Sequence, residues 1–345
     1  MLRAWPGDTG LLVIREYSTV ADARRALGGG LDRESAPSLF DRIDWFESLY
    51  NHCFARAPVR ILHALEGRRE AWLFLLSPGD GRLSALANWY SFSWAPAFVG
   101  DPDPETQRRL VEVLAEQLFR TAKQIDLYPV ARDAELLLDA FRRAGWFGVR
   151  RPLGGRHVLN VGDRDFASYW GDRPSRLRNQ VQRKGRAGRF AIEITNQFTD
   201  ALWRDYVAVH ASSWKQPEPG LPFLQALARR EAAAGTLRLG FARLNGQPVA
   251  TQLWTVENGV ALIHKLAHDR AFDGGSPGTL LSHAMFAHAI DTDHVQLIDY
   301  GTGDNSYKKE WMEQRETLYR LDFFNPRSAS TWLSAARTAI SALVG

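Results

Sequence analysis

Cysteine is almost absent from the chain, which has one, Cys53, among 345 residues. A single cysteine excludes an intrachain disulfide and is typical of a reducing compartment, so we expect a cytoplasmic protein. Cys53 lies near Tyr50, Phe54 and Ile61 in the sequence. This is the setting of a small core residue and not of a nucleophile.

Several catalytic and metal-binding signatures are missing as well. The sequence has no C-x-x-C, H-E-x-x-H, Walker loop or G-x-S-x-G, which argues against zinc enzymes, kinases and serine hydrolases. His264 and His268 are too far apart on a predicted strand to share a metal ion. His283 and His288 point to different sides of a predicted helix. We expect no metal and no bound cofactor.

Long apolar runs are also lacking. No stretch approaches the length of a membrane span, and the N-terminus lacks the basic and apolar regions of a signal peptide. We therefore expect no integral membrane segment. Residues Trp332–Val344 predict an amphipathic helix. It suits a membrane surface, but packing against the rest of the protein is the interpretation that we favour.

Acidic residues are absent from one segment that is rich in cations. Seven arginines and lysines fall within seventeen residues, close to a predicted helix over Asp165–Arg183. Such a run is either a solvated helix face or a guide for a phosphorylated partner, since arginine forks suit phosphate. We select Arg176 and Arg183 as candidate phosphate ligands. The full set is Arg173, Arg176, Arg178, Arg183, Lys184, Arg186 and Arg189.

The two halves of the chain show the same order of predicted elements. In each half, three consecutive strands joined by turns come before a helix. The turns Asn245-Gly246 and Asn258-Gly259 in the second half are the strongest short signal for hairpins. The strand triplets are Val59–Leu65, Glu70–Leu76 and Arg82–Ala87, and then Thr236–Leu244, Gln247–Glu257 and Val260–His268.

This repeat predicts an α/β fold with mixed sheets of the α+β type in two domains. We place the boundary in the R-R-P-L-G-G-R segment between Arg150 and Arg156. The predicted domains are residues 1–153 and 154–326, and a terminal helix follows in residues 327–345.

A predicted helix in the second half begins with S-P-G-T. Pro277 suits the first turn of a helix, and Ser276 before it is a fitting N-cap. The free backbone N–H groups at Gly278 and Thr279 then face outward with the positive end of the helix dipole. This helix start is therefore a candidate anion site.

A short buried strand, His294–Asp299, is predicted after this helix, and a Tyr-Lys pair follows at Tyr307 and Lys308. A phosphate-sized site lies beside a strand that ends in Asp299 and is followed by Lys308. This combination indicates group transfer. The alternative is an ordinary α/β unit with a Ser-Pro cap, because short motifs often match by chance.

Five motifs in this order resemble a known family. They are S-W-K at 213–215, L-I-H-K-L-A-H-D at 262–269, S-P-G-T at 276–279, D-Y-G-T-G-D at 299–304 and Y-K-K-E-W at 307–311. The order resembles the GNAT-like acyltransferases of the CelD-type cellulose-biosynthesis family, which are relatives of the Fem peptidoglycan aminoacyl transferases. The resemblance covers residues 156–324 well and the first half weakly. It implies tandem GNAT-like acyl-CoA N-acyltransferase domains, with the chemistry in the second.

Acyl transfer from a thioester to an amine needs a proton acceptor, a site for the oxyanion and a proton for the thiolate. We rank Asp299 first as the base or as an anchor for the amine, with equal weight for an aspartate that caps its loop. The resemblance implies that Lys308 supports the donor or the developing charge. Tyr307 either protonates the thiolate or packs.

The resemblance also implies a wall of the acceptor pocket at His210, Trp214 and Lys215. His210 by itself is more typical of a histidine at the edge of a core than of a base. Lys265, on the strand before S-P-G-T, is expected to reach the donor.

We therefore expect an N-acyltransferase that uses acyl-CoA or acyl carrier protein as co-substrate and acts on an amine by direct attack, in envelope or polysaccharide metabolism. An aminoacyl-tRNA donor, as in the Fem relatives, stays open because the basic segment allows it, although no coiled-coil arm is evident. A non-enzymatic assembly factor also stays open. The presence of Asp299, Tyr307 and Lys308 argues mildly against it.

Overall fold

The structure is a computed structural model that describes residues 2–3, 12–213 and 215–344. The chain forms two compact units. The first unit is Met1–Gly154 with Thr317–Gly345, and the second is Gly155–Glu316. Each unit has a mixed sheet with helices, so the predicted mixed α/β fold is confirmed.

The elements are numbered here in chain order. The helices are α1 Val20–Leu27, α2 Ile43–Cys53, α3 Pro104–Phe119, α4 Ala134–Arg143, α5 Phe166–Gly171, α6 Ser175–Arg186, α7 Asp200–Ala211, α8 Leu221–Ala233, α9 Pro277–Ala287, α10 Lys308–Trp311 and α11 Trp332–Val344. The strands are β1 Leu2–Arg3, β2 Leu12–Tyr17, β3 Val59–Glu66, β4 Arg69–Gly79, β5 Arg82–Ala85, β6 Ala97–Val99, β7 Gln124–Val130, β8 Phe147–Asn160, β9 Ala191–Thr195, β10 Leu237–Leu244, β11 Gln247–Glu257, β12 Val260–His268, β13 Leu297–Thr302 and β14 Gln314–Phe324.

The sheet of the first unit runs β1-β2-β3-β4-β5-β7-β14. Only β5 and β7 in this series are parallel. Phe46 of α2 stacks on Phe74 of β4 with ring centroids 4.0 Å apart. Strand β14 pairs with β7, and Phe324 lies opposite Gln124. Residues 317–324 therefore belong to this unit and not to the second domain, where we had expected them.

The predicted linker between Arg150 and Arg156 is not a loop. These residues lie inside β8, and the chain passes from the first unit to the second within that strand. Proline and glycine give this segment the composition of a linker. The sequence alone does not show that the segment pairs with neighbouring strands.

The sheet of the second unit runs β8-β13-β12-β11-β10-β9, and β12 and β13 are its parallel pair. Helix α9 packs over β10, β11 and β12. Phe286 of α9 lies between the rings of Trp254 and Trp311, at centroid distances of 5.3 and 5.0 Å. The hydroxyl of Tyr169 donates to the carbonyl oxygen of Trp311 at 2.8 Å. These contacts hold α5, α9 and α10 together.

Two predicted elements of this unit have different bounds. The helix expected over Asp165–Arg183 is split into α5 and α6, because Pro174 has no N–H to continue the first helix. The strand expected over His294–Asp299 is instead Leu297–Thr302, so Asp299 lies inside a strand and does not end it.

Helix α11 matches its predicted bounds but exposes its large apolar side chains. Trp332, Leu333 and Ile340 are each more than 60% exposed, whereas Ala339 and Ala342 line a shallow cavity beside α4. Packing against the rest of the protein, which we favoured, therefore does not include these large side chains. Among the described residues, none of the helices combines the length and the apolar run needed to cross a bilayer.

Gly240 of β10 tests the packing of α9. A Cβ added there would lie 2.6 Å from Met285 Sδ and 3.1 Å from Leu281 Cδ1. We expect Gly240→Ala to lower the free energy of unfolding by about 1–3 kcal/mol, since overpacking forces its neighbours to shift. Urea unfolding followed by tryptophan fluorescence measures this. Gly171→Ala is the control, because its Cβ meets nothing within 4 Å. Equal midpoints for the two variants would mean that α9 packs less closely than described.

Candidate functional site

The parallel strands β12 and β13 separate soon after they meet. They pair at Val260 with Leu297, Ala261 with Ile298 and Leu262 with Asp299. Beyond these pairs β12 runs on to His268 and β13 to Thr302. The register between β11 and β12 shifts at His264, and such a bulge bends a strand. We call the gap between residues 263–268 and 300–302 the wedge.

A cavity of about 570 Å³ lies at the wedge, entirely within the second unit. We call it the cleft. Its walls come from the ends of β12 and β13, the beginning of α9, one side of α6 and the short α10. Its volume is typical of small-molecule sites. The lining residues are Leu177, Gln180, Leu266, His268, Arg270, Asp273, Ser276, Gly278, Thr279, Ser282, Tyr300, Tyr307, Glu310 and Trp311.

The beginning of α9 lines the cleft, as the sequence predicted for an anion site. Ser276, Gly278 and Thr279 are all in the wall, and the first N–H groups of a helix have no partner within it. The expected cap by Ser276 is wrong, because its side chain makes no capping bond and its φ is +57°. Its hydroxyl instead accepts from Gln180 Nε2 at 3.0 Å, which ties α6 to the start of α9.

A chain of hydrogen bonds lies under the cleft. Ser282 Oγ accepts from Gln252 Nε2 at 2.7 Å, and Gln252 Oε1 accepts from Trp254 Nε1 at 2.8 Å. Tyr300 bonds to the same Ser282, and burial raises its pKa well above the ordinary value. The network fixes the polar floor of the site.

Tyr307 lies in the cleft wall and makes a T-shaped ring contact with Tyr300, at a centroid distance of 5.9 Å. Burial raises the pKa of Tyr307, so the phenol keeps its proton at neutral pH. It is therefore placed to donate a proton inside the cleft. Glu310, one helical turn further on, lines the cleft too.

His268 and Asp273 form a pair that we did not predict from the sequence. His268 Nε2 lies 2.8 Å from Asp273 Oδ1, and both residues line the cleft. Asp269 accepts from the N–H of Ala271 and starts the short turn that brings Asp273 back. A Cβ on Gly278 would lie 3.1 Å from His268 Nδ1, so the pair lies beside the start of α9.

Asp299 lies outside the cleft wall and is only 3% exposed. Its Oδ1 accepts from the N–H of Gly301 at 2.8 Å, and its Oδ2 lies 3.4 Å from Arg156 Nη1. Burial raises the pKa of this carboxyl, and Arg156 opposes the rise. Gly301 lies in the same strand, so this bond satisfies the carboxylate within β13, as for a structural aspartate and not for a base that faces a substrate.

Lys308 is buried behind the wedge instead of facing the cleft. Its Nζ donates to the carbonyl oxygens of Tyr300 at 2.9 Å, Gly301 at 3.3 Å and Thr302 at 2.7 Å. Burial lowers its pKa to about 8. The ammonium group therefore holds the end of β13 in place.

The remaining predicted lysines lie on the other face of β12. Lys265 is next to Leu266, and neighbouring residues on a strand point to opposite faces, so Lys265 does not face the cleft as expected for a donor ligand. It pairs with Glu218 at 2.7 Å. Lys215 Nζ donates to the carbonyl oxygen of Leu266. Trp214, expected beside it, lies outside the described residues.

His210 is 9% exposed and lies in the same group as Lys215 and Lys265. Burial, and then the charge of Lys215, lowers its pKa to about 4. Its Nε2 is buried without a hydrogen-bond partner among the described residues. His210 is thus a neutral histidine with one unused polar atom.

The basic segment, which begins at Arg173 and continues along α6, divides into two roles. Arg173 is buried and bonds to the carbonyl oxygen of Trp311, which is structural. Arg176 and Arg183 are exposed and form no ion pair within the described chain. They lie four residues before and three after Gln180, so they share its side of the helix. They border the cleft that Gln180 lines.

Residues 171–309, which include every residue of the cleft wall except Glu310 and Trp311, match the family described as the acetyltransferase (GNAT) domain. No curated protein matches the chain. The match covers less than half of the chain, and over this segment the chain is similar to GNAT acetyltransferases.

Three solved structures have a similar fold. The crystal structure of FemX covers 93% of this chain and 100% of its own, with a TM-score of 0.61 and 11% identity. A conserved protein of unknown function from Bacteroides thetaiotaomicron covers 90% and 100%, with a TM-score of 0.57 and 16% identity. L-PGS from Bacillus licheniformis covers 83% and 88%, with a TM-score of 0.54 and 11% identity. At these identities the likeness concerns the fold.

Lys308 and Lys309 form a matched pair for a test of this site. We expect Lys308→Met to lower the free energy of unfolding by about 1–3 kcal/mol, because buried carbonyl oxygens lose their donor. Lys309→Met, at an exposed position of the same helix, should change it by less than about 0.5 kcal/mol. Chemical unfolding measures both. If Lys308→Met unfolds like the control but has lost activity, Lys308 acts in the chemistry and not as a support.

Proposed function

We propose that this protein transfers an acyl group from a thioester donor, acyl-CoA or acyl carrier protein, to an amine. One observation carries the proposal: two parallel strands part beside the start of α9, where unpaired N–H groups face a cleft. The proposal has two further parts. The single cysteine supports a reducing compartment, and the motifs that resemble the CelD-type family support a role in envelope or polysaccharide metabolism.

The donor binds with its phosphates at the start of α9. The N–H groups of Gly278 and Thr279 and the helix dipole favour an anion there. His268 lies beside Gly278, while Arg176 and Arg183 at the border add charge that guides a phosphorylated ligand. The arm that carries the thioester extends into the wedge, where the backbone edges of separated strands offer hydrogen bonds to its amides.

The reaction is a direct attack. The amine nitrogen forms a bond to the thioester carbonyl carbon, the carbonyl oxygen becomes an oxyanion held by backbone N–H groups at the wedge, and the C–S bond then breaks. Tyr307 gives its proton to the leaving thiolate. Of the two carboxylates in the cleft wall, Asp273 is held by His268, so we assign Glu310 to accept the proton of the amine. Asp299 is not assigned this role, because Arg156 and Gly301 enclose it.

An aminoacyl-tRNA donor is a second candidate for the same site. The observation that favours it is the set of exposed arginines on α6 without acidic partners in the described chain, which is more charge than a single phosphate needs. Loss of activity on treatment of a working assay with RNase identifies this donor, and unchanged activity excludes it.

Donor binding is tested by thermal unfolding in the presence of CoA, acetyl-CoA, long-chain acyl-CoA, acyl carrier protein and charged tRNA. A ligand that binds the folded state stabilises it by mass action and so raises the melting temperature. At a ligand concentration of a hundred times Kd, the gain in stability is about 2.7 kcal/mol. We expect Gly278→Val to abolish the shift, since the added branch enters the cleft next to His268. Gly274→Ala, where a Cβ meets nothing within 4 Å, should keep it. No shift with any thioester or tRNA would overturn the proposal.

Direct attack predicts that no acyl group stays on the protein. Intact mass after incubation with the donor that binds should equal that of the untreated chain. Tyr307→Phe and Glu310→Gln should lower kcat by roughly 10²–10⁴-fold, the usual contribution of proton transfer, while Lys309→Met keeps it. A stoichiometric acyl adduct that proceeds to product would replace direct attack with a covalent route.

A further inference from the structure

The side of α6 that faces away from the protein carries four exposed arginines. Among the residues that the structure describes, none of these side chains has an ion pair, a hydrogen bond or a ring contact, and the buried residues of the helix lie on its other side. We call this surface the outer face of α6. Its arginines are Arg176, Arg178, Arg183 and Arg186.

Two of these arginines lie where a helix disfavours them. Arg176 and Arg178 belong to the first turn of α6, which has no acidic residue, and the positive end of the helix dipole repels cations. Five other helices, α1 to α4 and α7, have an aspartate or a glutamate in that turn. A sequence that breaks a local rule without a gain in stability is typical of a functional surface.

The carboxylates that come near α6 do not neutralise its outer face. Asp172 precedes the helix and lies 3.9 Å from Arg164. Asp273 lines the cleft and is paired with His268 at 2.8 Å. Glu310 also lines the cleft, on the inner side of α6. None of the three forms an ion pair with the four arginines, so a negative partner for them has to come from another molecule.

The positive charge of the second unit is concentrated on this segment. Of the 20 lysines and arginines in Gly155–Glu316, six lie within residues 174–189, which contain no aspartate or glutamate. The rest of the unit has 14 lysines and arginines but 18 aspartates and glutamates. A long nucleic acid is bound by cations spread over a large surface. One cationic helix on an otherwise acidic unit fits a small acidic protein instead.

The same helix forms part of the cleft wall through Gln180. Arg176 and Arg183 share the side of Gln180 and border the cleft. Arg178 and Arg186 lie further round the helix, away from the cleft, because each residue turns a helix by about 100°. The charge thus begins at the cleft and continues over the outside of α6, which is a wider surface than the phosphates of one nucleotide cover.

We propose that the acyl donor is an acyl carrier protein, a small acidic protein whose carboxylates dock on the outer face of α6. The inference rests on the proposed acyl transfer and names the form in which the thioester arrives. Arg178 and Arg186 bind carboxylates of the carrier, Arg176 and Arg183 guide the phosphate of its arm, and the arm enters the cleft. Docking adds no chemical step: the amine takes the acyl group, and the protonated thiol stays on the carrier.

The test measures binding, because binding does not require the amine to be known. One acyl group is loaded on CoA and on the acyl carrier protein of bacterial fatty acid synthesis, and the Kd of each donor is measured at several salt concentrations. We expect the carrier to bind more tightly than the CoA thioester at low salt and to lose this advantage as salt screens the exposed charges.

Charge reversal on the outer face separates docking from the binding of the thioester arm. The double variant Arg178→Glu, Arg186→Glu should weaken binding of the carrier at least about tenfold more than binding of the CoA thioester, since like charges then meet. A carrier with lysines in place of surface carboxylates should recover part of the loss. Arg178→Glu alone should raise the melting temperature, because it puts a carboxylate in the first turn of α6, so a loss of binding does not reflect unfolding.

Arg204→Glu is the matched control. Arg204 is an exposed arginine of α7, and among the described residues it too has no ion pair. Its reversal changes the net charge in the same way and should leave the ratio of the two affinities as it is in the parent chain. A ratio that falls as far as in the variants of α6 would show a general effect of charge and would overturn the docking inference.

The outcomes distinguish failure of the inference from failure of the proposed function. If the double variant weakens both donors equally, or neither, or if charged tRNA is the ligand that it loses, docking of a carrier is overturned and acyl transfer stands. The same holds if acyl-CoA binds and the carrier does not. If no donor shifts the melting temperature of the parent chain, acyl transfer itself fails, and the inference fails with it.

Discussion

The pairing of β12 with β13 stops at Leu262 and Asp299, and the rest of the site depends on this separation. Two parallel strands that stayed paired would satisfy each other's backbone and leave no room between them. Once they part, their carbonyl and N–H groups need other partners. The cleft opens where this happens, and α9 begins next to it, so that the free N–H groups of a helix and the edges of two strands meet in one place.

Buried lysines supply part of the missing backbone partners. Lys308 binds three carbonyl oxygens at the end of β13, and Lys215 binds one on β12. A charged group in a low-dielectric interior is costly, and the lowered pKa values of both lysines reflect that cost.

The two faces of β12 divide the chemistry. On one face, polar groups lie over a hydrogen-bonded floor of Ser282, Gln252 and Trp254, beside the start of α9. On the other, Lys215 and Lys265 lie near His210, and burial lowers the pKa of that histidine to about 4. Strand alternation explains why Leu266 and Lys265, adjacent in sequence, belong to different sites. β12 therefore presents different polar groups on its two faces.

Local signals in the sequence were enough for many of the elements and for the beginning of α9. Alternating patterns with Asn-Gly turns determined the strand triplet β10 to β12, and the Ser-Pro-Gly-Thr segment determined where α9 begins and which residues line the cleft there. The tertiary structure decided what depends on pairing and burial. It placed residues 317–324 in the first unit, enclosed Asp299 between Arg156 and Gly301, turned Lys308 towards the backbone and brought His268 to Asp273. Sequence carries periodicity and turn chemistry within a few residues, whereas the role of a charged side chain is set by partners from distant segments and by how much water the fold leaves around it.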